Sequence, residues 1–417
     1  MIRYHAAWIV PIVGPPIRDG WLTVDEGRIV DCGRGKPPED GVAPVDAVDD
    51  VELGDVGILP GLINAHTHLE LSYLRGRVPP ASRFVTWIRG VMAARGEQPD
   101  PEAPEILDAV DRAIADAIAC GTAVAGDISN TLVTIPRLMQ SPMAALVFYE
   151  MIRFNASVPG SSEALVEKAL ADVAARQPNE HVRASLAAHA PYSVAPALFR
   201  AIKHGVDREP GAPWSVHLAE SVDELEFLES GTGAWRALLE EVGAWDRTWS
   251  APRVSPVRYL DEAGLVDARL VAVHGVQLTA ADLKTLAARG ATLVTCPRSN
   301  GHTGAGVPPL EAFYAAGVRV AIGTDSLASA PDLNVFAELA TMHALAPGIP
   351  AASLLESATR QGARALGFDA EYGTIESGKR ARLLAVAVPA GTDDVEEYLV
   401  SGITPDHLRW IDESGVA

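Results

Sequence analysis

The chain has 417 residues, of which 48% are hydrophobic and 21% are charged, and its formal net charge is 34 − 54 = −20. This composition can bury a large core, which excludes disorder as a description of the whole chain. The acidic balance excludes nucleic acid and anionic membrane surfaces as partners attracted by the overall field. We therefore expect a small-molecule partner that is bound locally. The length fits two or three average domains or one large α/β barrel with an addition.

The first 57 residues are predicted to form short strands. Residues 9–13, 21–24 and 28–31 are rich in β-branched and aromatic side chains, and Asp-Glu-Gly at 25–27 is typical of a hairpin turn. Proline and glycine cluster at residues 35–60, which is typical of a linker or a domain edge.

From residue 58 onward, apolar strand-like runs alternate with alanine-rich helical patterns. The predicted strands are 58–65, 121–127, 144–149, 182–188, 215–218, 270–274, 292–296 and 318–323. Helical patterns between them include 104–119, 162–176, 195–203, 223–228 and 280–289. Eight such units predict an α/β fold, a (β/α)8 TIM barrel over residues 58–369. The alternative is a doubly wound open sheet, which usually has a glycine-rich turn after the first strand, where this chain has Ala-His-Thr-His at 65–68.

The end of the chain, like its beginning, contains short strand-like runs. After a helical stretch at 351–366, strand-like runs return at 373–375 and 382–388. We therefore expect residues 1–57 and 370–417 to combine into a small β-sandwich beside the barrel.

Five side chains with nitrogen or oxygen donors lie at the ends of predicted barrel strands: His66, His68, His217, His274 and Asp325. Since alternate residues of a strand share a face, His66 and His68 are expected to project together into the barrel mouth. The catalytic groups of TIM barrels come from these strand ends. For any one of these histidines the alternative is a hydrogen-bonded core residue. Imidazole and carboxylate donors without a thiolate suit Zn²⁺ or Fe²⁺, with one coordination position left for water.

The runs around these residues resemble the amidohydrolase superfamily, in particular its single-metal branch of deaminases and chlorohydrolases. The resemblance extends over nearly the whole chain and rests on residues 59–68, 217–220, 273–275, 296–300, 323–326 and 373–379. Arg382 departs from the family pattern, which usually has aspartate there, but this position concerns the β-sandwich.

The resemblance implies that His66, His68, His217 and Asp325 bind metal. Two-metal members of the superfamily bridge their ions with a carboxylated lysine at the end of strand four, and residues 184–189 contain no lysine. We therefore expect one divalent metal ion, Zn²⁺ or alternatively Fe²⁺. A homodimer is a family-level expectation.

The spacing His217-x-x-Glu220 indicates the reaction. Glu220 is expected to protonate a ring nitrogen and then pass a proton to the departing amine, while Asp325 accepts the proton of the attacking water. His274 is expected to donate a hydrogen bond to the attacking oxygen or the tetrahedral oxyanion. The structural alternatives are a helix-capping acid for Glu220 and a core histidine for His274. The expected activity is hydrolytic loss of ammonia from an amino-substituted N-heterocycle.

Residues 189–193 resemble the segment that nucleoside-type deaminases use against the sugar and base, and residues 69–76 and 84–88 resemble the branch that contains aminodeoxyfutalosine deaminases of the menaquinone route. Their substrate joins a 6-aminopurine nucleoside to a benzoate. The alternative is a deaminase or chlorohydrolase that acts on guanine, on adenosine or S-adenosylhomocysteine, or on a triazine. A catalytically silent scaffold is an alternative of another class, which the retained ligands and Glu220 disfavour.

Such a substrate would need contacts of several kinds. We expect Trp87 as an aromatic wall, Glu150 at the ribose hydroxyls and His189 as a further substrate contact. Arg298 and Arg153 are the candidates for binding the carboxylate.

Three scattered cysteines indicate neither a disulfide framework nor a metal pair. No apolar run approaches 18 residues and no cleavage-site pattern follows the N-terminus, so we expect a cytoplasmic protein. Among the other histidines, only His302 is expected to be able to reach the pocket.

Overall fold

The computed structural model describes residues 1–35, 48–155, 160–412 and 415–416. The predicted linker at 35–60 therefore lies partly outside the described residues. Within these ranges the strands are β1 (Ile2–Ile9), β2 (Ile17–Asp25), β3 (Arg28–Arg34), β4 (Asp49–Glu52), β5 (Val56–Pro60), β6 (Leu62–Thr67), β7 (Thr122–Ser129), β8 (Ala144–Met151), β9 (Val182–Ala188), β10 (Trp214–Leu218), β11 (Leu270–His274), β12 (Thr292–Thr295), β13 (Arg319–Ile322), β14 (Leu383–Ala387), β15 (Leu408–Asp412) and β16 (Gly415–Val416).

All the helices but the last lie between β6 and β14 in the chain. They are α1 (Phe84–Gly96), α2 (Pro104–Ala119), α3 (Thr134–Leu138), α4 (Ser161–Ala175), α5 (Pro196–Val206), α6 (Val222–Ser230), α7 (Gly233–Glu241), α8 (Pro256–Glu262), α9 (Ala280–Arg289), α10 (Pro297–Thr303), α11 (Leu310–Ala315), α12 (Val335–Leu345), α13 (Ala351–Ser357), α14 (Arg360–Ala365) and α15 (Val395–Leu399). Single 3₁₀ segments follow β6, at Leu69–Leu74, and precede β15, at Pro405–His407.

Strands β6 to β13 pair in sequence order as a parallel sheet, which confirms the predicted TIM barrel. The sheet closes between its first and last strands, where Thr67 and Asp325 form a parallel bridge and the Asp325 N–H donates to His66 O at 3.0 Å. Nearly every residue of these strands is buried, as expected for parallel strands covered on both faces.

The two terminal segments combine into one eight-stranded sheet in the order β16-β15-β14-β5-β1-β2-β3, with β4 also paired to β1. Alternate residues of these strands, including Tyr4, Leu22, Ile58 and Leu383, enclose a core of their own. The opposite face of β14, with Leu384 and Val386, packs against the barrel core. The structure thus shows one sheet with its own core built from both chain ends, where the sequence led us to expect a β-sandwich.

The predicted strand at 58–65 is divided between the two sheets. The Gly61 N–H donates to Arg382 O in the terminal sheet, and the next N–H, that of Leu62, donates to Gly121 O beside the barrel. A side chain at Gly61 would meet Ala123 Cβ at 2.6 Å, so this crossing requires glycine. The terminal sheet consequently extends to Pro60, beyond the predicted division after residue 57.

Two other strand predictions were wrong. The first strand ends at Ile9 rather than covering 9–13, since Ile12 has a positive φ of 70° after Pro11. Residues 373–375 form a turn around Gly373, with φ 90°, not a strand. The predicted hairpin is confirmed, because Glu26 and Gly27 both have positive φ between paired Asp25 and Arg28. Among the described residues, we find no helix that combines the length and apolarity needed to span a membrane.

Candidate active site

The structure brings together the five predicted strand-end residues. The ring centroids of His66 and His68 are 5.0 Å apart, and the His217 ring lies 5.1 Å from His66 and 5.4 Å from His274. Asp325 Oδ1 lies 3.6 Å from His68 Nε2 and 3.8 Å from His66 Nε2. Three barrel-strand ends (β6, β10 and β11) and the residues directly after β6 and β13 therefore form one cluster.

This cluster fits a divalent cation. Ligand atoms of His66, His68 and His217 all lie within 4.8 Å of one another, and His66 Nε2 is buried without a hydrogen-bond partner in the described residues. Burial, followed by repulsion from neighbouring imidazoles, lowers the pKa of His66 well below its usual value. Burial likewise lowers the pKa of His68 to about 3. Neutral imidazoles next to a carboxylate are the ligands that Zn²⁺ and Fe²⁺ prefer.

Hydrogen bonds orient each member of the cluster. The His217 Nδ1–H donates to His189 O at 2.8 Å, which leaves Nε2 with a free lone pair. The Asp325 carboxylate accepts from Ser299 Oγ at 2.5 Å and from the Ser326 N–H at 2.8 Å. Burial opposes ionisation of Asp325, but His68, His274 and the Ser299 hydrogen bond together lower its pKa.

His274 adopts a left-handed backbone conformation at the end of β11, with φ 77°. This conformation is costly for a residue with a side chain and is found where structure is held for a function. The His274 Nδ1–H donates to Asn300 Oδ1 at 2.9 Å, and Nε2 lies 3.5 Å from Glu220 Oε1. Burial is the main reason that the pKa of His274 falls to about 4.

Glu220 is buried in the connection between β10 and α6. The Glu224 carboxylate accepts the N–H groups of Ala219 at 3.1 Å and Glu220 at 2.9 Å, and Ala219 has a positive φ of 51°. Burial, together with the negative charges of Asp325 and Glu224, raises the pKa of Glu220 well above its usual value. A carboxyl group in this setting favours its protonated form, which can donate to a basic ring nitrogen.

The cluster forms the floor of a cavity of about 660 Å³. Large apolar side chains from α1, the loop after β8 and α7 form its walls: Phe84, Trp87, Ile88, Val91, Met92, Ile152, Phe154, Trp235, Leu238 and Leu239. A concave apolar site of this size with a few convergent polar groups suits a small organic ligand.

Three of the predicted substrate-binding residues, Trp87, Glu150 and His189, line this cavity. The His189 ring has Nδ1 2.6 Å from Ser193 Oγ, and burial followed by the charge of Arg95 lowers its pKa to about 4. Glu150 is buried at the end of β8, where Oε2 accepts from Asn130 Nδ2 at 2.9 Å. Burial is the main cause of its raised pKa.

The structure does not bring Arg298 to the cavity, so its predicted contact with a substrate carboxylate was wrong. Its guanidinium is largely buried at the start of α10, where Nε donates to Glu338 Oε1 at 2.7 Å and Nη1 donates to Asp332 Oδ1 at 2.9 Å. His302 is also directed elsewhere, with Nε2 3.1 Å from Val78 O. In the described part of the chain, the cations that line the cavity are Arg153 and Arg95.

Replacing Arg298 with methionine is expected to destabilise the protein without changing substrate affinity. Glu338 is 0% exposed, so the variant leaves a buried carboxylate without its cation, which costs about 3–5 kcal/mol. Thermal unfolding should show the loss, and the double variant Arg298→Met/Glu338→Leu should recover much of it. A raised KM at unchanged stability would instead restore Arg298 as a substrate contact.

Sequence reasoning missed Arg95, Asn130, Ser299 and Asn300 as parts of the site. Ser299 and Asn300 lie in the run at 296–300, whose resemblance to the strand-seven motif was the available signal. Nothing in the sequence indicates Arg95, because it reaches the cavity from α1.

The chain is similar in sequence and in fold to known proteins. An aminodeoxyfutalosine deaminase of Deinococcus radiodurans is 32% identical over 327 residues, covering 74% of this chain and 73% of that protein. A 5-methylthioadenosine/S-adenosylhomocysteine deaminase of Moorella thermoacetica is 29% identical over 387 residues, covering 91% and 83%. The crystal structure of an adenosine deaminase from Xanthomonas campestris with bound zinc has a TM-score of 0.80 at 27% identity, covering 100% of this chain and 92% of that chain.

The fold and the site define an α/β-barrel hydrolase with a histidine-rich cluster suited to a metal ion. Residues 58–404 match the Amidohydrolase family, and the chain belongs to this family. It is a hydrolase that acts on carbon–nitrogen bonds other than peptide bonds.

Proposed function

We propose that this protein is a metal-dependent deaminase of a 6-aminopurine nucleoside and that its substrate is aminodeoxyfutalosine, which it converts to futalosine and ammonia. The observation that carries the proposal is the position of Glu220. Its buried carboxyl group lies beside the histidine–aspartate cluster and at the floor of a long apolar cavity. An amidine that enters this cavity meets a proton donor and the cation-binding cluster together.

His66, His68, His217 and Asp325 are proposed to hold one divalent ion, Zn²⁺ or alternatively Fe²⁺. When bound, such an ion supplies acidified water as a nucleophile near neutral pH. The zinc in the Xanthomonas relative supports the first choice. In the described part of the chain the lysines belong to helices or to the turn after Gly378, which supports a single ion.

Glu220 and His274 are proposed to move the protons. Glu220 donates its proton to the ring nitrogen beside the reacting carbon, then accepts the hydroxyl proton of the tetrahedral adduct and transfers it to the departing amine, so that cleavage of the C–N bond releases ammonia. Asp325 is proposed to accept the proton of the attacking water, the role expected of it, and to pass it to His274. Because the His274 Nδ1–H is donated to Asn300, its Nε2 carries the lone pair that takes up this proton, which returns to Glu220, 3.5 Å away, when the product leaves. Protonated His274 then donates to the tetrahedral oxyanion, the role expected of it.

The walls of the cavity favour a substrate with an aromatic carboxylate. Trp87 and Phe84 provide an aromatic wall, and Arg153 lies beside Ile152 at the mouth. Among the described residues that line the cavity, the acids are Glu150, Glu220 and Asp325, all at the polar floor. The mouth thus offers a cation for a carboxylate but no acid for the ammonium group of an amino acid.

S-Adenosylhomocysteine or 5-methylthioadenosine is the second candidate, since the Moorella relative aligns over 91% of this chain. Guanine and triazines are smaller than a nucleoside and would fill less of the cavity of about 660 Å³. A catalytically silent scaffold has no support from a cluster in which every expected ligand and Glu220 are present.

Ammonia release should therefore be fastest with aminodeoxyfutalosine. Its kcat/KM is expected to exceed that of adenosine about tenfold to a hundredfold, the range of one hydrogen bond to a charged group. Arg153→Met should reduce this ratio, whereas Arg89→Met, the same change at a residue of α1 paired with Glu241, should not. Equal turnover of adenosine or S-adenosylhomocysteine would contradict the assignment to aminodeoxyfutalosine but not the deaminase mechanism.

A further inference from the structure

We propose that Asn130 is a positioning residue that makes Glu150 select ribonucleosides over deoxyribonucleosides. The inference rests on the proposed function, because it requires a nucleoside in the cavity. It adds a determinant of specificity that is neither one of the proposed metal ligands nor one of the proposed proton-transfer residues.

The Asn130 side chain lies between a donor and an acceptor. Its Nδ2 donates to Glu150 Oε2 at 2.9 Å and to Glu150 O at 3.3 Å, while Arg95 Nη1 donates to its Oδ1 at 3.1 Å. A guanidinium can only donate, so Arg95 fixes the amide oxygen of Asn130 on its own side and leaves the amide nitrogen facing Glu150. The amide of Asn130 therefore has one productive orientation, in which its donor always faces Glu150.

The backbone of Asn130 is held as firmly as its side chain. The buried carboxylate of Glu70 accepts the N–H groups of Asn130 at 3.0 Å and Thr131 at 3.2 Å, and also Ser129 Oγ at 2.7 Å. Glu70 follows His68 by two residues, so the loop that carries Asn130 is tied directly to the floor of the cavity. The backbone and the side-chain amide of Asn130 are therefore both held in place before a ligand binds.

This arrangement leaves one oxygen of Glu150 for the ligand. Asn130 occupies Oε2, whereas Oε1 is buried without a hydrogen-bond partner in the described residues. The nearest ring nitrogen, His217 Nδ1, lies 3.4 Å away and already donates to His189 O at 2.8 Å. A buried carboxylate oxygen without a hydrogen-bond partner is costly, so a hydroxyl group that donates to it is preferred.

A ribose hydroxyl is the neutral donor that a nucleoside offers at this place. Ligand atoms of Glu150 and His189 lie within 4.8 Å of each other, so they can contact one sugar from the same side. A substrate that lacks the hydroxyl leaves Oε1 unpaired. Sites built in this way discriminate more sharply than apolar pockets do.

Asn130→Asp tests the role with almost no change of shape. It replaces the donor to Glu150 Oε2 with an acceptor, so Oε2 loses its partner and Oε1 is no longer the single unsatisfied atom. Asn179→Asp is the matched control, because Asn179 is exposed away from the cavity and its Oδ1 only accepts, from the N–H groups of His181 and Val182, as an aspartate would.

The experiment measures kcat/KM for adenosine, 2′-deoxyadenosine and 3′-deoxyadenosine, with metal content per chain and nucleoside binding by tryptophan fluorescence. The metal-loaded wild type is expected to prefer adenosine to at least one deoxy substrate by about tenfold to a hundredfold. Asn130→Asp should reduce this preference about tenfold at unchanged metal content, and Asn179→Asp should retain it.

Equal losses for ribose and deoxyribose substrates in Asn130→Asp would show a merely structural role and overturn the inference. A wild type without ribose preference in turnover or binding would overturn it as well. If no nucleoside releases ammonia but binding shows the ribose preference and its loss in Asn130→Asp, the deaminase proposal fails and the inference stands. Binding of none of the three nucleosides would overturn both.

Discussion

Replacement of Glu220 by glutamine is expected to lower kcat by about 10²–10⁴-fold, the usual contribution of a positioned general acid–base group. Glutamine keeps the size of the side chain and its amide N–H can donate to His274 Nε2, but it cannot release a proton to a ring nitrogen. The metal content should remain that of the wild type, because the proposed ligands are His66, His68, His217 and Asp325 and not Glu220. Ammonia-release kinetics and metal analysis of the same preparation measure both quantities.

The matched control for this variant is Glu229→Gln, the same change at an exposed position of α6. It should retain the kcat of the wild type. Turnover by Glu220→Gln within about threefold of the wild type would contradict the proton-transfer role, since such a change is far below the expected range. Loss of metal together with activity would instead assign Glu220 to the metal site.

Removal of the metal is expected to abolish ammonia release and to lower the thermal unfolding midpoint. The buried groups His66, His217 and Asp325, and His68 with 13% of its side chain exposed, would be left without the charge that satisfies them. A ligand that binds only the folded state also stabilises it by mass action. Dialysis against a chelator, followed by titration with Zn²⁺ or Fe²⁺, should restore activity at about one equivalent per chain.

A pair of histidine variants controls this experiment. His66→Asn should lose the metal, because His66 Nε2 lies in the cluster. His302→Asn should keep it, because His302 contacts Val78 O away from the cavity. Full activity of metal-free protein, or restoration only at two equivalents, would contradict the single-ion proposal.

The barrel and its strand-end residues could be predicted because both depend on local patterns. Continuous apolar runs between helical segments define buried parallel strands, and a polar residue at the end of such a run must lie at the mouth of a barrel. His66, His217, His274 and Asp325 were found in this way. The helices at 104–119 and 280–289 were predicted with their observed bounds; a capping box at Thr279 and Asp282 and a C-terminal Gly290 delimit the second.

Other parts of the site depend on contacts between distant segments. Arg298 has the charge expected of a carboxylate-binding residue, but its partners Glu338 and Asp332 are contributed by α12 and the loop before it. Arg95 reaches the cavity from α1, and Asn130 meets Glu150 only because β7 and β8 are neighbours in the barrel. No local pattern encodes these encounters.

The sequence by itself determined the α/β barrel, the residues of the metal-type cluster and the proximity of Glu220 to it, because strand periodicity and the spacing of a few residues suffice for each. Only the tertiary structure decided which arginines face the cavity, where the chain crosses between the two sheets at Gly61, and which oxygen of Glu150 is left without a partner. These outcomes depend on side chains that are far apart in the chain and compete for the same partners, and that competition is resolved only when the strands are packed together.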